Sequence, residues 1–568
     1  MGIAQTSGAG RRVRRVSIIY SIYFMGGYMI RRKLHRLVSL LTAVTMAAAV
    51  VLASAGTLHA EAAATDAAAT DSLTAALISG DQVIVTGSIS TLSEDGILHL
   101  YAQETYESGT EGTEVAQTVN GGTTWTFALN YNTANSMLNK KFTVVVLQNG
   151  VLTAVGNSVY ITNPEAVATH TSTRMDNGIK GILPAAELIN ENYLSDLGVQ
   201  QATYNLLLGR IVSNASGGDT IAYTYNGKTY YFDKLYVAEY DIIAQRLNAQ
   251  GIQVTFIVLN ELASNTTLIH PMATIANTTG TAENYYALNA ATEAGVELLE
   301  AVMSFLAARY SGTEGYGQVD NWIIGNEVNA YTQWNYMYSP SIEYYTQEYA
   351  NAFRICYNSI KSQNANANVY VATDQQWAEP SNAAIYYGSK DFLTTFNTII
   401  KAEGNIDWRV SSHPYNVPLY DVNNWTDSGY ATHSQDSRYV TIQNIDVLTD
   451  FLCQEDFLSP TGEVRTVKIS EVGYTSLESM GSNEYYQAAA ITYAYLQAIS
   501  NQYIDGIIIN RQLDATAEIA QGLAYGLMNT DGSLKVSYDF YKNLGDLDYI
   551  NTASAIVGVD LLSRCTFR

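Results

Sequence analysis

Cysteine is nearly absent, with three in 568 residues at Cys356, Cys453 and Cys565. Thiols that few and that far apart cannot build a disulfide framework, and they lack the close spacing of a zinc site. Stability must therefore come from a buried core, which a chain with 47% apolar residues can supply. Basic residues are also in short supply. Lys and Arg number 30 against 53 Asp and Glu, and eight of those basic residues fall within the first 60 positions, where no acid occurs. Beyond position 60, 22 basic residues face 53 acidic ones. That balance repels phosphate backbones and argues against nucleic acid as a partner; it suits a soluble protein acting on neutral or cationic ligands. Also missing are a dinucleotide-binding glycine fingerprint, a P-loop lysine motif and His-Glu-x-x-His spacing, so no cofactor and no metal is expected. Phenylalanine is scarce where tyrosine abounds, 13 against 43. Tyrosine joins a flat apolar face to a polar tip, which suits wet binding surfaces such as those for sugars, and equally adhesive protein contacts.

At the amino terminus, Arg31-Arg32-Lys33-Leu34-His35-Arg36 leads into an apolar run over 37–55, then small residues and a plausible cut near Ala60. This is the pattern of a removable export signal over 1–60. A retained anchor is the rival reading, since the run approaches the ~20 residues a span needs. Met29 begins the more ordinary signal, which marks the stretch before it as a misplaced start. The expected protein is secreted or at the cell surface, with no stable membrane association after cleavage. A linker over 61–72 follows, in which Ala-Ala-Ala-Thr-Asp occurs twice.

From 73 to 164 short alternating runs at 82–88, 96–101, 123–129 and 141–147 are separated by Gly, Asn, Asp and Ser. Period-two runs at this spacing predict a small antiparallel β-sandwich, either a carbohydrate-binding accessory module or a spacer packed on its neighbour. The absence of an aromatic cluster there favours the spacer. From 165 to 568 apolar strands alternate with amphipathic helices. Strands are predicted at 179–183, 202–208, 254–259, 321–324, 369–373, 408–412, 467–470 and 504–510, with helices at 236–249, 290–309, 342–362 and 483–500. Eight such alternations predict an α/β fold of the (β/α)8 barrel type rather than an open doubly wound sheet. One insertion, at 221–232, has the pattern of a hairpin turning at Asn226-Gly227.

Barrel chemistry occurs at the carboxyl ends of the strands. The fourth and seventh predicted strands both end in glutamate, in Ile324-Gly325-Asn326-Glu327-Val328 and Ile469-Ser470-Glu471-Val472-Gly473. Carboxylates from those two ends can converge over the mouth, and a retaining glycosidase needs such a pair about 5 Å apart, one as nucleophile and one as acid then base. A strand-end carboxylate can also simply cap the next helix or pair with a lysine.

The two motifs, on the expected strands and in order, resemble the clan A glycoside hydrolases, retaining enzymes on an eightfold β/α barrel. The resemblance spans roughly 165–568. It implies a poly- or oligosaccharide substrate, Glu327 as acid/base, Glu471 as nucleophile and Asn326 as a hydrogen-bond donor to the sugar. It also places His413 and Tyr415, in Ser412-His413-Pro414-Tyr415 after the sixth strand, near the carboxylates. Many clan members carry a tryptophan after the eighth strand, where this chain has Asn510-Arg511. Trp334 and Trp377, in the loops after the fourth and fifth strands, are then the candidates for a stacking face. Arg174, Asn205 and Asn260 lie near other strand ends and read as structural. Cys356 and Cys453, on predicted helices, read as buried filler. Two other functions fit the same residues, namely a transglycosylase using the same intermediate and a catalytically silent glycan-binding or surface protein.

Overall fold

The computed structural model describes residues 71–273, 285–339 and 341–568. The predicted export signal and nearly all of the linker lie outside the described residues. β1 (Ser72–Ser79), β2 (Gln82–Ser88), β3 (Ile97–Gln103), β4 (Thr113–Val119), β5 (Thr124–Ala128), β6 (Lys141–Gln148) and β7 (Val151–Tyr160) form two antiparallel sheets, ordered β1-β2-β5 and β4-β3-β6-β7. Alternate residues of these strands, among them Leu98, Leu100, Trp125, Phe127, Phe142 and Val144, meet in one core. The alternation in the sequence predicts β2, β3, β5 and β6 but not β1, β4 or β7. For the last two the reason is burial: β4 has no fully buried residue, and β7 is buried only at its last two positions.

The second part is the predicted barrel. β8 (Lys180–Ile182), β9 (Gln201–Leu207), β12 (Gln253–Leu259), β13 (Asn321–Ile324), β14 (Asn368–Asp374), β15 (Trp408–His413), β16 (Val467–Val472) and β17 (Ile504–Ile509) close into one ring, every pair parallel. Each predicted strand is present with its ends within two residues of the expectation. The insertion forms the antiparallel hairpin β10 (Thr220–Tyr225) and β11 (Lys228–Asp233), turning through Asn226 and Gly227 at φ 48° and 76°. Two consecutive left-handed residues are what the favoured two-residue hairpin turn requires.

The surrounding helices are α1 (Lys234–Ala249), α2 (Glu293–Arg309), α3 (Ile342–Lys361), α4 (Ser389–Ala402), α5 (Asp446–Leu452) and α6 (Glu484–Ile499). Four of them start where a short polar side chain accepts from the first turn: Asp233 for α1, Thr292 for α2, Ser341 for α3 and Asn483 for α6. The sandwich rests on these helices. Tyr160 N–H donates to the Glu403 carbonyl at 2.8 Å beneath the Arg354 guanidinium, and Asn358 Nδ2 donates to the Leu138 carbonyl at 3.2 Å. The hairpin reaches it too, Asn226 N–H donating to Asn132 Oδ1 at 2.9 Å.

Strand alternation sorts each barrel strand into an outer and an inner row. In β15, Trp408 points outward and meets Phe396 of α4 with ring centroids 5.2 Å apart, whereas Ser411 and His413 point inward. The inner rows are unusually polar. At the floor, Lys468 Nζ lies 3.0 Å from Asp505 Oδ1 and donates to Gln201 Oε1 at 2.6 Å. Asp505 Oδ2 accepts from Tyr370 Oη at 2.8 Å and from Thr466 Oγ1 at 2.6 Å. Burial pushes the Asp505 carboxyl up, but the charge of Lys468, the Thr466 hydroxyl and Arg409 outweigh it and hold it below the usual carboxylate range. Burial pulls the Lys468 ammonium down. Lys468 is wholly buried and the Asp505 side chain is 22% exposed, so removing the lysine strands a partly desolvated carboxylate.

Lys468→Met is therefore expected to lower stability by about 3 kcal/mol in urea unfolding. The pH dependence follows from Asp505. A carboxyl depressed in the folded state contributes stability above its unfolded pKa and loses it as pH falls through the folded value. The gap between wild type and variant should accordingly narrow below about pH 4.

Candidate active site

The chain leaves β13 through an unusual turn. Gly325 has φ 81°, and a Cβ there would meet Val328 Cγ1 at 2.6 Å, so no larger residue fits. Glu327 itself is left-handed, at φ 41°. A non-glycine residue holds that conformation only where its surroundings fix it, at a cost of roughly 1–3 kcal/mol. Here the fixing groups are visible. Tyr349 Oη donates to the Ile324 carbonyl at 2.7 Å, Tyr345 Oη to the Val328 carbonyl at 2.6 Å, and Val328 N–H to Ala372 of the next strand at 2.9 Å. The turn brings Glu327, 3% exposed, back over the barrel mouth to His413.

Glu471 reaches the same place by a different device. Ile469 is in register with Ile507, and Val472 with Ile509, so β16 spends one residue more than β17 between those pairs. Such a bulge re-aims side chains. Ser470 and Glu471, neighbours that strict alternation would send to opposite faces, both turn to the mouth, one bonding His413 and the other Tyr415. Gly473 permits the close packing that follows, since a Cβ there would lie 2.4 Å from the Asn510 carbonyl oxygen and 2.8 Å from the Tyr525 ring.

The side chains join into two connected sets. His413 Nδ1 is 2.9 Å from Glu327 Oε1, its Nε2 is 3.0 Å from Ser470 Oγ, and Ser470 also bonds Ser411. Glu327 Oε2 is buried with no hydrogen-bond partner among the described residues. Tyr415 Oη donates to Glu471 Oε1 at 2.7 Å, and Asn510 Nδ2 donates to Tyr415 Oη at 3.0 Å and to the same carboxylate oxygen at 3.4 Å. Burial disfavours the His413 imidazolium, but Glu471, then Glu327 by hydrogen bond and charge, and Asp374 outweigh it and raise its pKa. Burial and the Glu471 charge push the Tyr415 phenol well up, which keeps it a donor.

Asn326 is close to buried and makes no side-chain hydrogen bond to another described residue. The two tryptophans are both largely buried. Trp377 is 1% exposed, packs edge-on against Phe451 and donates Nε1 to the Gln435 carbonyl at 3.1 Å. Trp334, 9% exposed, lies stacked on Tyr285 at 5.5 Å. Both indoles pack against side chains from other segments, Trp377 against α5 and Trp334 against Tyr285. Arg174 is at the opposite end of the barrel, tying Asp320 and Asn321, and Asn260 bonds loop carbonyls, whereas Asn205 is exposed. Cys356 is buried, but Cys453 is exposed, because it falls just past the end of α5.

Several residues at the mouth escape the sequence reading. Asp374 ends β14, and burial followed by the charge of Glu327 pushes it up to about 7. It was open to detection as the polar residue terminating the fifth apolar strand. Asn510 turns out to contact Glu471 and Tyr415, and Arg511 beside it pairs with buried Glu518 at 3.3 Å. Glu518 comes from the segment after the last barrel strand, and no local pattern marks it. Among the described residues no group of three or more His, Cys, Asp and Glu is arranged to hold a metal ion.

Gly473→Ala is expected to displace the Asn510 carbonyl or the Tyr525 ring and to cost about 1–3 kcal/mol by thermal or urea unfolding. A fully stable variant would show that this contact has slack.

Solved structures similar to this chain include a glucosidase from Croceicoccus marinus, at 13% identity over 67% of this chain and 69% of that one, with a TM-score of 0.42. The hyperthermophilic β-glucosidase from Pyrococcus furiosus matches at 14% identity over 67% and 90%, with a TM-score of 0.41. The GH53 catalytic domain of Ignisphaera aggregans matches at 14% identity over 66% and 98%, also with a TM-score of 0.41. No curated protein matches the chain by sequence. Residues 172–565, which hold the whole barrel and both glutamates of its mouth, match the family of unknown function DUF5722, and the chain belongs to that family.

Proposed function

We propose that the protein is a retaining β-glycoside hydrolase acting on a poly- or oligosaccharide, with Glu471 as nucleophile and Glu327 as acid and then base. The observation that carries this reading is the contrast between the two carboxyls. Glu327 is buried, with one oxygen at His413 and the other unpartnered, whereas Glu471 is partly exposed and takes hydrogen bonds from a phenol and an amide. Two carboxyls facing one mouth from unlike environments suit opposite tasks in proton transfer and covalent catalysis.

In this mechanism Glu471 attacks the anomeric carbon while Glu327 protonates the departing oxygen through Oε2. Tyr415 and Asn510 hold Glu471 in place and steady its charge until it is consumed by ester formation. His413 fixes the orientation of Glu327. Water then enters where the leaving group was; Glu327 removes its proton, and the sugar leaves with its configuration retained. In the same reading the enzyme works outside the cell, the amino-terminal segment serving export.

Incubation with a panel of β-configured 2-fluoro glycosyl or cyclophellitol-type probes is expected to add one sugar mass at Glu471 in intact-protein and peptide mass spectrometry. Adduct formation on another residue would refute the assignment. Glu327→Gln should lower kcat/KM by about 10²–10⁴-fold for substrates with poor leaving groups. Azide should rescue Glu327→Ala to a β-glycosyl azide and Glu471→Ala to an α-glycosyl azide, and the reverse pattern would exchange the two roles.

A further inference from the structure

We propose that Ser470 is a positioning residue: backed by Ser411, its hydroxyl donates to His413 Nε2 and so holds the neutral ring's proton on Nδ1, from which it is donated to Glu327 Oε1. Its catalytic meaning rests on the glycosidase reading above.

Four buried side chains form one line. Ser411 of β15 and Ser470 of β16 bond through their hydroxyls, Ser470 Oγ lies 3.0 Å from His413 Nε2, and His413 Nδ1 lies 2.9 Å from Glu327 Oε1. None of the four is more than 3% exposed, so solvent completes none of their bonds. Ser470 joins the line through the bulge in β16, which turns it to the mouth together with Glu471. The device that aims the nucleophile thus also brings a hydroxyl to the histidine of the acid.

Counting protons gives the line a direction. The two hydroxyls bond only each other and His413 among the described residues. If Ser411 donates to Ser470, Ser470 to Nε2 and Nδ1–H to Glu327, every proton in the line meets an acceptor. In the reverse direction Nε2–H donates to Ser470 and Ser470 to Ser411, whose own proton then has no acceptor, and buried donors are rarely left so. The direction matters at Glu327. When Oε1 accepts from Nδ1–H, the unpartnered Oε2 is the oxygen left to carry the acid's proton to a leaving group. Reversed, Nδ1 has no proton to give and meets Oε1 only if the acid's proton sits on that oxygen, turned to the histidine. The charged groups facing the ring are Glu327 after β13, Asp374 of β14 and Glu471 of β16. Burial opposes the imidazolium and these carboxyls favour it, but the imidazolium also carries Nδ1–H. Only the Nε2–H tautomer would break the contact, and it is the one the serine pair disfavours. An Nδ1–H bonds a carboxylic acid and a carboxylate alike, so His413 keeps its place when Glu327 turns from acid to base.

The test is ¹⁵N NMR of the full-length protein labelled in its histidines, with His413 assigned from the signals lost in His413→Gln. Where the ring is neutral, long-range ¹H–¹⁵N correlation is expected to show a protonated Nδ1 and an unprotonated Nε2; a proton on Nε2 instead would overturn the proposal. In Ser470→Ala the Nε2 resonance should move downfield, as it does for an imidazole nitrogen that loses a donor, and Ser470→Thr, which keeps the hydroxyl, should return it. An Nε2 resonance unmoved in Ser470→Ala would show that no hydroxyl donates there and would equally end the proposal. The second measurement is kcat/KM on whichever aryl glycosides the probe panel identifies. The ratio for a good over a poor leaving group should rise about tenfold in Ser470→Ala, the worth of one hydrogen bond to the acid's support, and fall back in Ser470→Thr. An equal loss on both leaving groups would mean that Ser470 only packs, and would end its role at the acid. Because the NMR needs no substrate, a protein that reacts with no probe would refute the glycosidase reading while the tautomer was still decided.

Discussion

Closing eight parallel strands into a ring sends alternate side chains of every strand into one interior, where they have only each other for partners. In this protein that interior is polar at the floor and again at the mouth, with Ile257, Ile323 and Ala372 between, so its polar inward residues have to be matched by those of other strands. The Lys468–Asp505 pair, with Gln201, Tyr370 and Thr466 around it, shows the constraint at the floor. Charges buried this way contribute little net stability, but each partner becomes indispensable once the other is present. The same ring geometry brings Asp374, His413 and Ser470 from three successive strands into one layer at the mouth.

Above that layer two departures from regular structure each place a glutamate. After β13 the backbone enters the left-handed region at Gly325 and again at Glu327. In β16 a bulge inserts one residue. Local deviations of this kind cost free energy and persist because neighbouring groups over-determine them. Tyrosines do much of that work. Tyr345 and Tyr349 reach from α3 to carbonyls on either side of the Glu327 turn, and Tyr525 stacks on Tyr415 while bonding the Leu419 carbonyl at 2.7 Å. A surplus of tyrosine over phenylalanine suggested a wet binding surface; in the folded chain many of these phenols instead tie loops to helices from inside.

The contrast between the two glutamates also has a physical origin in the fold. Glu327 emerges from the turn that follows β13 and is almost wholly buried. Glu471 stands on a strand end beside the phenol and amide of Tyr415 and Asn510, with solvent still in reach. An environment that strips water from one carboxyl and supplies donors to the other separates their chemistry without any difference in residue type.

Periodicity carries the architecture. Apolar alternation in the strands, amphipathic spacing in the helices and Asn226-Gly227 in the hairpin are all local preferences, and they suffice for eight barrel strands, four major helices and the positions of Glu327 and Glu471 at strand ends. Strands with little burial, such as β4, leave no such trace. Trp334 and Trp377 show the other limit, because whether a loop indole faces solvent or packs on a neighbouring segment depends on how separate loops and helices meet. Asp374 had the strand-end signature of the two glutamates, yet its hydrogen bonds to Asn329, which fasten it to the segment carrying Glu327, follow from no spacing in the chain. Local pattern thus determines which residues reach the rim of the barrel. Which of them meet, which way a bulged strand turns them and which are stripped of water depend on pairings between residues far apart in the chain, 86 positions for His413 and Glu327 and 267 for Lys468 and Gln201, and those exist only once the ring has closed.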